Sequence, residues 1–282
     1  MSTASANKNP YAPLKIPEFK YFIAGRFIFI MGLRMTGTVI GWWIYLLTNS
    51  PLALGFVGLS EVIPALSLAL YAGHYIDINE KRKLLLKCIL LYVVCIGMLI
   101  FLSSSFAEKS FSSWTLAACI CGVIAATGAV RAFSGPTFSA MIAQIVPLAQ
   151  LPAAASISSA TWLIGSITGH AAGGFLIAFI GINNTFYAIL VFVLTGFFLL
   201  KKLTVKPILH INKSNTWQSV KEGINYVFKT KEILGAMSLD LFAVLFGGAV
   251  AMVPVFAKDI LHIGPIGFGW LNAAADIGSI IT

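Results

Sequence analysis

Charge is what this sequence has least of. Asp, Glu, Lys and Arg together make up 10% of its 282 residues, against about 25% in a soluble domain. That scarcity excludes an ordinary soluble globular domain. Acids are scarcer than bases, 10 against 19, which leaves a net charge of +9. An excess of that size on one soluble face would point to nucleic acid. Here the cations sit in the connections between apolar runs, so nucleic acid is excluded as a partner. Cysteine is limited to Cys88, Cys95, Cys119 and Cys121, all within apolar runs. They read as small buried hydrophobes. No Cys/His spacing suits zinc, so no metal is expected. Nucleophile motifs, phosphate loops and a soluble catalytic domain are also missing, so neither an enzyme nor a cofactor is expected. The tail 1–17 lacks a signal-peptide pattern, and the first apolar run is expected to serve as an uncleaved anchor.

What the chain does have is apolar length. It is 58% hydrophobic with a mean hydropathy of +0.89. Runs near or beyond twenty residues recur, which makes it an all-α polytopic membrane protein. The expected spans are 21–47, 52–75, 84–104, 114–145, 153–180, 185–200, 233–257 and 265–282. A tight turn at Asn49-Ser50-Pro51 separates the first two, 105–113 is a small polar loop, and 147–152 and 181–184 are turns. The domains follow: a tail 1–20, a six-helix unit 21–200, a linker 201–231, and the start of a second unit at 232–282. In the linker Trp217, Val220, Ile224, Val227 and Phe228 recur at helical spacing, with Lys221, Glu222 and Asn225 on the other side. That is an amphipathic helix, read as lying on the membrane surface.

Loop cations set the expected orientation. The tail, the second loop and the linker hold fourteen, among them Lys8, Lys15, Lys81, Arg82, Lys87 and Lys213. The alternate loops hold two, Lys109 and Lys258, each beside an acid. The N-terminus and the linker are therefore expected in the cytoplasm, with the protein in a bacterial-type inner membrane.

One polar stretch stands out, the run 73–83, Gly-His-Tyr-Ile-Asp-Ile-Asn-Glu-Lys-Arg-Lys. It reads as a hairpin in which a glycine lets helix ends approach and an acid caps or pairs. Gly73, Asp77, Lys81 and Arg82 resemble the signature loop between helices 2 and 3 of the major facilitator superfamily. Ile78 stands where an arginine is usual, and Glu80 where a second glycine is usual. Gly165, Gly169, Gly173 and Gly174 resemble the span-5 glycine motif of the superfamily's antiporters, with His170 in the place of a proline. Arg131 and Gly135 resemble its span-4 arginine motif. The run from Asp240 to Gly248, followed by Pro254 and Ala257, and the run from Asn49 to Gly55 resemble the drug/proton antiporter branch that includes the enterobactin and macrolide exporters.

The resemblance implies a fold of twelve membrane helices in two six-helix halves, of which this chain holds about eight. A longer protein of which this is a C-terminally incomplete piece, or a truncated remnant without transport activity, are the two readings of that shortfall. The implied function is proton-coupled efflux of an amphipathic small molecule, a drug, a macrolide or a siderophore-like compound, by alternating access. The implied partners are that substrate, protons or sodium, and the lipid bilayer.

Ionisable residues inside spans are costly and mark function or pairing. They are Arg26, Arg34, Glu61, Arg131, His170, Asp240 and Asp276, with none inside spans 3 and 6. Proton-coupling candidates are Asp240 and Glu61 as carboxylates, with Arg131 and Arg34. Each has a plainer alternative. Arg26 is expected to snorkel to the headgroups. Glu61 either binds protons or pairs with Arg34, Arg131 is coupling or structural, and Asp240 is a cavity carboxylate or an ion-pair partner. Asp276 is expected near mid-membrane. His170 reads as a position satisfied by a hydrogen bond, with titration near neutral pH as the other option. Trp42, Trp43, Phe242 and Phe246 are packing or interface aromatics, or else line a substrate pocket.

Overall fold

The computed structural model describes residues 10–207, 216–246 and 248–281. Every regular element among them is helical. The long helices are α1 (Pro17–Thr48), α2 (Pro51–Ile78), α3 (Lys81–Leu102), with a one-turn helix α4 (Ser105–Ser110) inside the expected polar loop, then α5 (Ser113–Ile145) and α6 (Leu151–Lys201). After the linker come α7 (Thr216–Lys229), α8 (Lys231–Phe246), the short α9 (Val253–Val255) and α10 (Pro265–Ile281). Five helical segments, Pro17–Thr48, Pro51–Ile78, Lys81–Leu102, Ser113–Ile145 and Leu148–Lys201, are long and apolar enough to cross a membrane.

The helix ends follow local chemistry. Pro17 and Pro51 open α1 and α2, where a missing N–H costs nothing. Asn49 ends α1 in the left-handed conformation (φ 45°) with its N–H on the Tyr45 carbonyl at 2.9 Å. Ser104 and Ser112 cap α4 and α5 by accepting from the N–H groups of Ala107 and Thr115.

Helix α6 runs 51 residues, about 77 Å at 1.5 Å per residue. A hydrocarbon core of about 30 Å cannot hold that as one span. The break is at Gly181, with φ 78° and ψ 173°. Expected as a four-residue turn, the reversal is confined to this glycine, because the left-handed backbone is open to glycine alone at no cost. Asn183 is already helical and donates to the Ile100 carbonyl (3.1 Å) and to Ser103 Oγ (2.8 Å), which docks the sixth span on the end of α3. The two arms of α6 enclose α1. In the first arm, contacts rise together along both helices, from Arg26 with Ser158 to Thr38 with His170, so the arm is parallel to α1. In the second arm Leu200 meets Gly25 and Val193 meets Gly32, so it is antiparallel.

The seventh span is not one helix. Expected over 233–257, it is α8, then a 3-10 turn at Gly248–Met252, α9, and a π turn at Phe256–Ile260. Pro254 has no N–H to give to a continuing helix and instead opens α9. His262 turns the chain with φ 50° into α10. The amphipathic helix forms as α7, with Lys221, Asn225 and Phe228 exposed. The side chains of Trp217, Val220, Glu222 and Ile224 lie outside the described residues.

The core is aromatic towards the end of the bundle where the N-terminus enters. Phe138 of α5 lies 5.9 Å from Phe22 and 5.8 Å from Phe29 between ring centres, and Phe29 lies 5.6 Å from Tyr92 of α3. Leu52, Leu59, Leu66 and Leu70 of α2 are exposed, as suits a surface whose solvent is lipid. The cysteines split. Cys88 and Cys95 are buried as expected, but Cys119 is exposed and Cys121 half-buried, because they lie on faces of α5 that α3 and α2 do not fully cover.

Candidate functional site

The run 73–83 is mostly helix, not hairpin. Helix α2 continues through Gly73 and Asp77 to Ile78, leaving Asn79 and Glu80 as the connection. A Cβ on Gly73 would meet nothing within 4 Å among the described residues, so this glycine is not the site of a close approach. Asp77 is exposed and has no hydrogen bond or ion pair among them. The capping role falls to Glu80, whose carboxylate accepts from the N–H groups of Arg82 (2.9 Å) and Lys83 (3.1 Å). A glycine there could not do this, so the departure from the motif supplies the helix start. Lys81 Nζ reaches the Ile76 carbonyl at 3.4 Å. Arg82 Nη2 donates to the Lys201 carbonyl at 2.7 Å, placing a cation on the C-terminal end of α6. Glu80→Ala is expected to cost α3 about 1 kcal/mol. It should lower the melting temperature in detergent by roughly 2–4 °C, while Asp77→Asn leaves it unchanged.

Deeper in the bundle, α1 and the first arm of α6 meet through matched rows of every fourth residue, the ridge that lies along one face of a helix. On α1 the row is Arg26, Ile30, Arg34, Thr38; on α6 it is Ser158, Trp162, Ser166, His170. Arg26 Nη1 donates to Ser158 Oγ, and its guanidinium lies 5.4 Å from the Phe138 ring centre. The Arg34 guanidinium stands 4.7 Å over Trp162. Thr38 Oγ1 and His170 Nδ1 share a hydrogen bond of 2.8 Å. His170 Nε2 lies 4.0 Å from Asp276 of α10, and Asp276 accepts from Ser166 Oγ. His170 is thus the hydrogen-bonded residue that its position suggested, joined to two helices at once.

Glycines make this register possible. A Cβ on Gly169 would lie 2.7 Å from the Met31 carbonyl, and on Gly165 3.2 Å from Ile30. Gly173 fits against Met35 and Thr38. Gly174 faces the other way: a Cβ there would lie 2.4 Å from the Pro265 carbonyl and 3.0 Å from the Cα of Gly269. The four-glycine stretch therefore serves two contacts, α1 with three glycines and α10 with the fourth.

The helices surround a cavity of about 480 Å³. Five of the intramembrane ionisable residues line it: Arg26, Arg34, Glu61, Arg131 and His170. Its walls come from α1, α2, α5, the first arm of α6, the 250–254 stretch and α10, with Tyr92 the contribution of α3. The second arm of α6 gives no lining residue. Glu61 pairs with Arg131, not with Arg34, in a direct salt bridge between α2 and α5. The pair stays open, with side chains 46% (Arg131) and 33% (Glu61) exposed, and both residues line the cavity. A glycine that sequence reasoning passed over, Gly128, brings these helices together: a Cβ there would lie 2.2 Å from the Glu61 carbonyl. Gly135, noted with Arg131, has no neighbour within 4 Å.

One further expectation changes. Arg26 does not snorkel; it lies against Phe138 and Ser158 on the cavity wall, and its Nε is buried with no hydrogen-bond partner among the described residues. Trp42 and Trp43 are packing residues as expected, buried against Phe268 (5.4 Å) and Phe186 (5.8 Å), and do not line the cavity. The cavity aromatics are instead Phe29, Tyr92, Phe138, Trp162 and Phe268. Phe242 is exposed. The side chains of Asp240 and Phe246 lie outside the described residues.

At the end of the bundle opposite the N-terminus the early and late helices close on each other. Tyr45 donates to Asp259, and Lys258 Nζ donates to Asn49 Oδ1 at 2.6 Å. At the N-terminal end, Glu18 holds the start of the linker through Thr204 (2.9 and 2.7 Å) and Lys206 (2.8 Å).

The described residues thus form a multi-pass helical bundle enclosing a cavity lined by charged and aromatic residues, the architecture of a polytopic membrane protein. The family model described as "Transmembrane secretion effector" matches residues 8–282, and the chain belongs to that family, within the major facilitator superfamily of transporters. It is also similar to an uncharacterised MFS-type transporter, YfmI, of Bacillus subtilis (strain 168), with 23% identity over 269 residues. That match takes in 89% of this chain and 62% of the relative, so the chain spans less than two thirds of that protein's length.

Proposed function

We propose that the protein acts as a proton-coupled exporter of an amphipathic small molecule, working by alternating access between two helical units, 21–200 and a second beginning at 232. The observation that carries this is the Glu61–Arg131 ion pair, which joins α2 to α5 and lines the cavity. A carboxylate there can take up a proton, and neutral Glu61 releases Arg131 from the pair. Protonation and substrate binding then favour opposite orientations of the two units, so that proton entry drives substrate exit. Asp240, by its place on α8, is the second candidate carboxylate. Arg34 and His170 connect α1 and α6 to the same cavity. With the N-terminus cytoplasmic, as the loop cations favour, the closed end is the external one and the state is inward-facing.

The test of coupling is transport of a fluorescent amphipathic dye by the full-length protein in cells lacking their main efflux pumps. Lowered accumulation that a protonophore abolishes supports the reading. If accumulation stays lowered with the protonophore present, coupling to protons is wrong. The closed end carries its own prediction. A Gly58→Cys probe fits without contact and lines the cavity. Combining it with Tyr45→Phe and Asp259→Asn is expected to raise its labelling by an external, membrane-impermeant maleimide several-fold. Unchanged labelling would mean that these contacts do not hold the outer end shut.

A further inference from the structure

We infer that the cavity takes an organic anion with an apolar body, and that the positive charge of Arg26 and Arg34 attracts its anionic group. This names the substrate class for the exporter proposed above and rests on that reading. Among the described residues three guanidiniums line the cavity against one lining carboxylate, Glu61, which is already engaged by Arg131. Asp276 does not line it; counting that residue, beside His170, still leaves one positive charge in excess among the described residues. Arg26 and Arg34 have no carboxylate within 4.0 Å among the described residues. Their contacts among the described residues are one hydroxyl and two aromatic rings, with Asp276 near enough to Arg34 to attract it without an ion-pair contact.

A guanidinium in a membrane interior costs several kcal/mol unless a counter-charge is supplied. A ring face offsets about 1–2 kcal/mol of that. The remainder is the attraction available to an incoming carboxylate, sulfonate or phosphate, which can accept two parallel N–H bonds from one guanidinium. The Arg26 Nε, buried without a partner, is such an unused donor. Both arginines fall on one ridge of α1, two turns apart, about 12 Å along the axis. Phe29, Phe138 and Trp162 stand beside them to receive an apolar body. A permanent cation of the same shape finds no free carboxylate among the described lining residues.

The experiment compares two probes with one body, pyrenebutyrate and a pyrenebutyl trimethylammonium salt, binding to the purified full-length protein in nanodiscs by fluorescence. The carboxylate is expected to bind at least about tenfold tighter than the ammonium. Arg34→Gln and Arg26→Gln should each weaken the carboxylate roughly tenfold and leave the ammonium no weaker, while Arg26→Lys retains part of the affinity. Because the two probes are compared on unaltered protein, misfolding of a variant does not decide the outcome. Equal or tighter binding of the ammonium, or binding of neither probe, overturns the inference. The same probes in proteoliposomes separate it from the exporter reading. Proton-driven movement of the ammonium alone keeps the exporter and overturns the anion site. Pyrenebutyrate bound but not moved by a proton gradient keeps the anion site and counts against the exporter.

Discussion

Gly174→Val is expected to abolish the contact between α6 and α10 and, with it, transport by the full-length protein. A side chain at this position would start 2.4 Å from the Pro265 carbonyl and 3.0 Å from the Cα of Gly269. Both obstacles are backbone, so no rotamer change relieves the clash and the helices must move apart. Overpacking of this kind costs about 3 kcal/mol, hence a melting temperature lowered by roughly 5–10 °C in detergent. Separation would also pull Asp276 from Ser166 and His170, the polar link across the same interface. Gly97→Ala is the control, since a Cβ there meets nothing within 4 Å. The measurement is melting of the two variants side by side, with dye transport in parallel. A Gly174→Val protein that melts and transports like the parent would show that the glycine contact is not needed.

Glu61→Gln is expected to remove proton-driven transport while leaving the protein folded. Breaking a fully buried ion pair costs about 3–5 kcal/mol. This pair is not fully buried: the Arg131 side chain is 46% exposed to the cavity. Water there solvates the unpaired guanidinium, which brings the expected loss of stability down to about 1 kcal/mol. The transport defect should therefore far exceed any loss of folded protein, which melting and expression level would show. Asp240→Asn is the companion change, and the double variant tests both carboxylates at once. Protonophore-sensitive efflux that persists in the double variant would exclude both as the coupling sites.

The positions of the first six spans, most helix ends and the superfamily were legible in the sequence, because apolar length, caps and loop charges are local properties. Pro51 and Asn49 mark the first reversal by their own backbone preferences, and the structure bears that out. The reversal at Gly181 was visible as a turn but not as a single residue, since its extent depends on how Asn183 docks against α3. The ionisable residues inside the spans were also legible, because their cost in lipid holds wherever they point. Their partners were not. Arg34 was the only ion-pair partner that the sequence suggested for Glu61, and the close approach of α2 and α5 at Gly128 gives it Arg131 instead. Arg26 lies near enough to one end of α1 to reach headgroups, and its place on the cavity wall depends on Ser158, distant in sequence by 132 residues. One signal was available and unused, the every-fourth-residue row Ser158, Trp162, Ser166, His170, which already marks one polar and aromatic face of α6.

The sequence by itself determined that the chain is a helical membrane protein of this superfamily, where its spans fall, and which charges they carry. Hydrophobicity, caps and the cost of charge in lipid act within one helix turn and need no partner. The tertiary structure decided which charges meet, which glycines are contacts, and which aromatics face the cavity, because those depend on the register of one helix against another. That register is set where two backbones come close enough to exclude every side chain, at Gly128, Gly169 and Gly174.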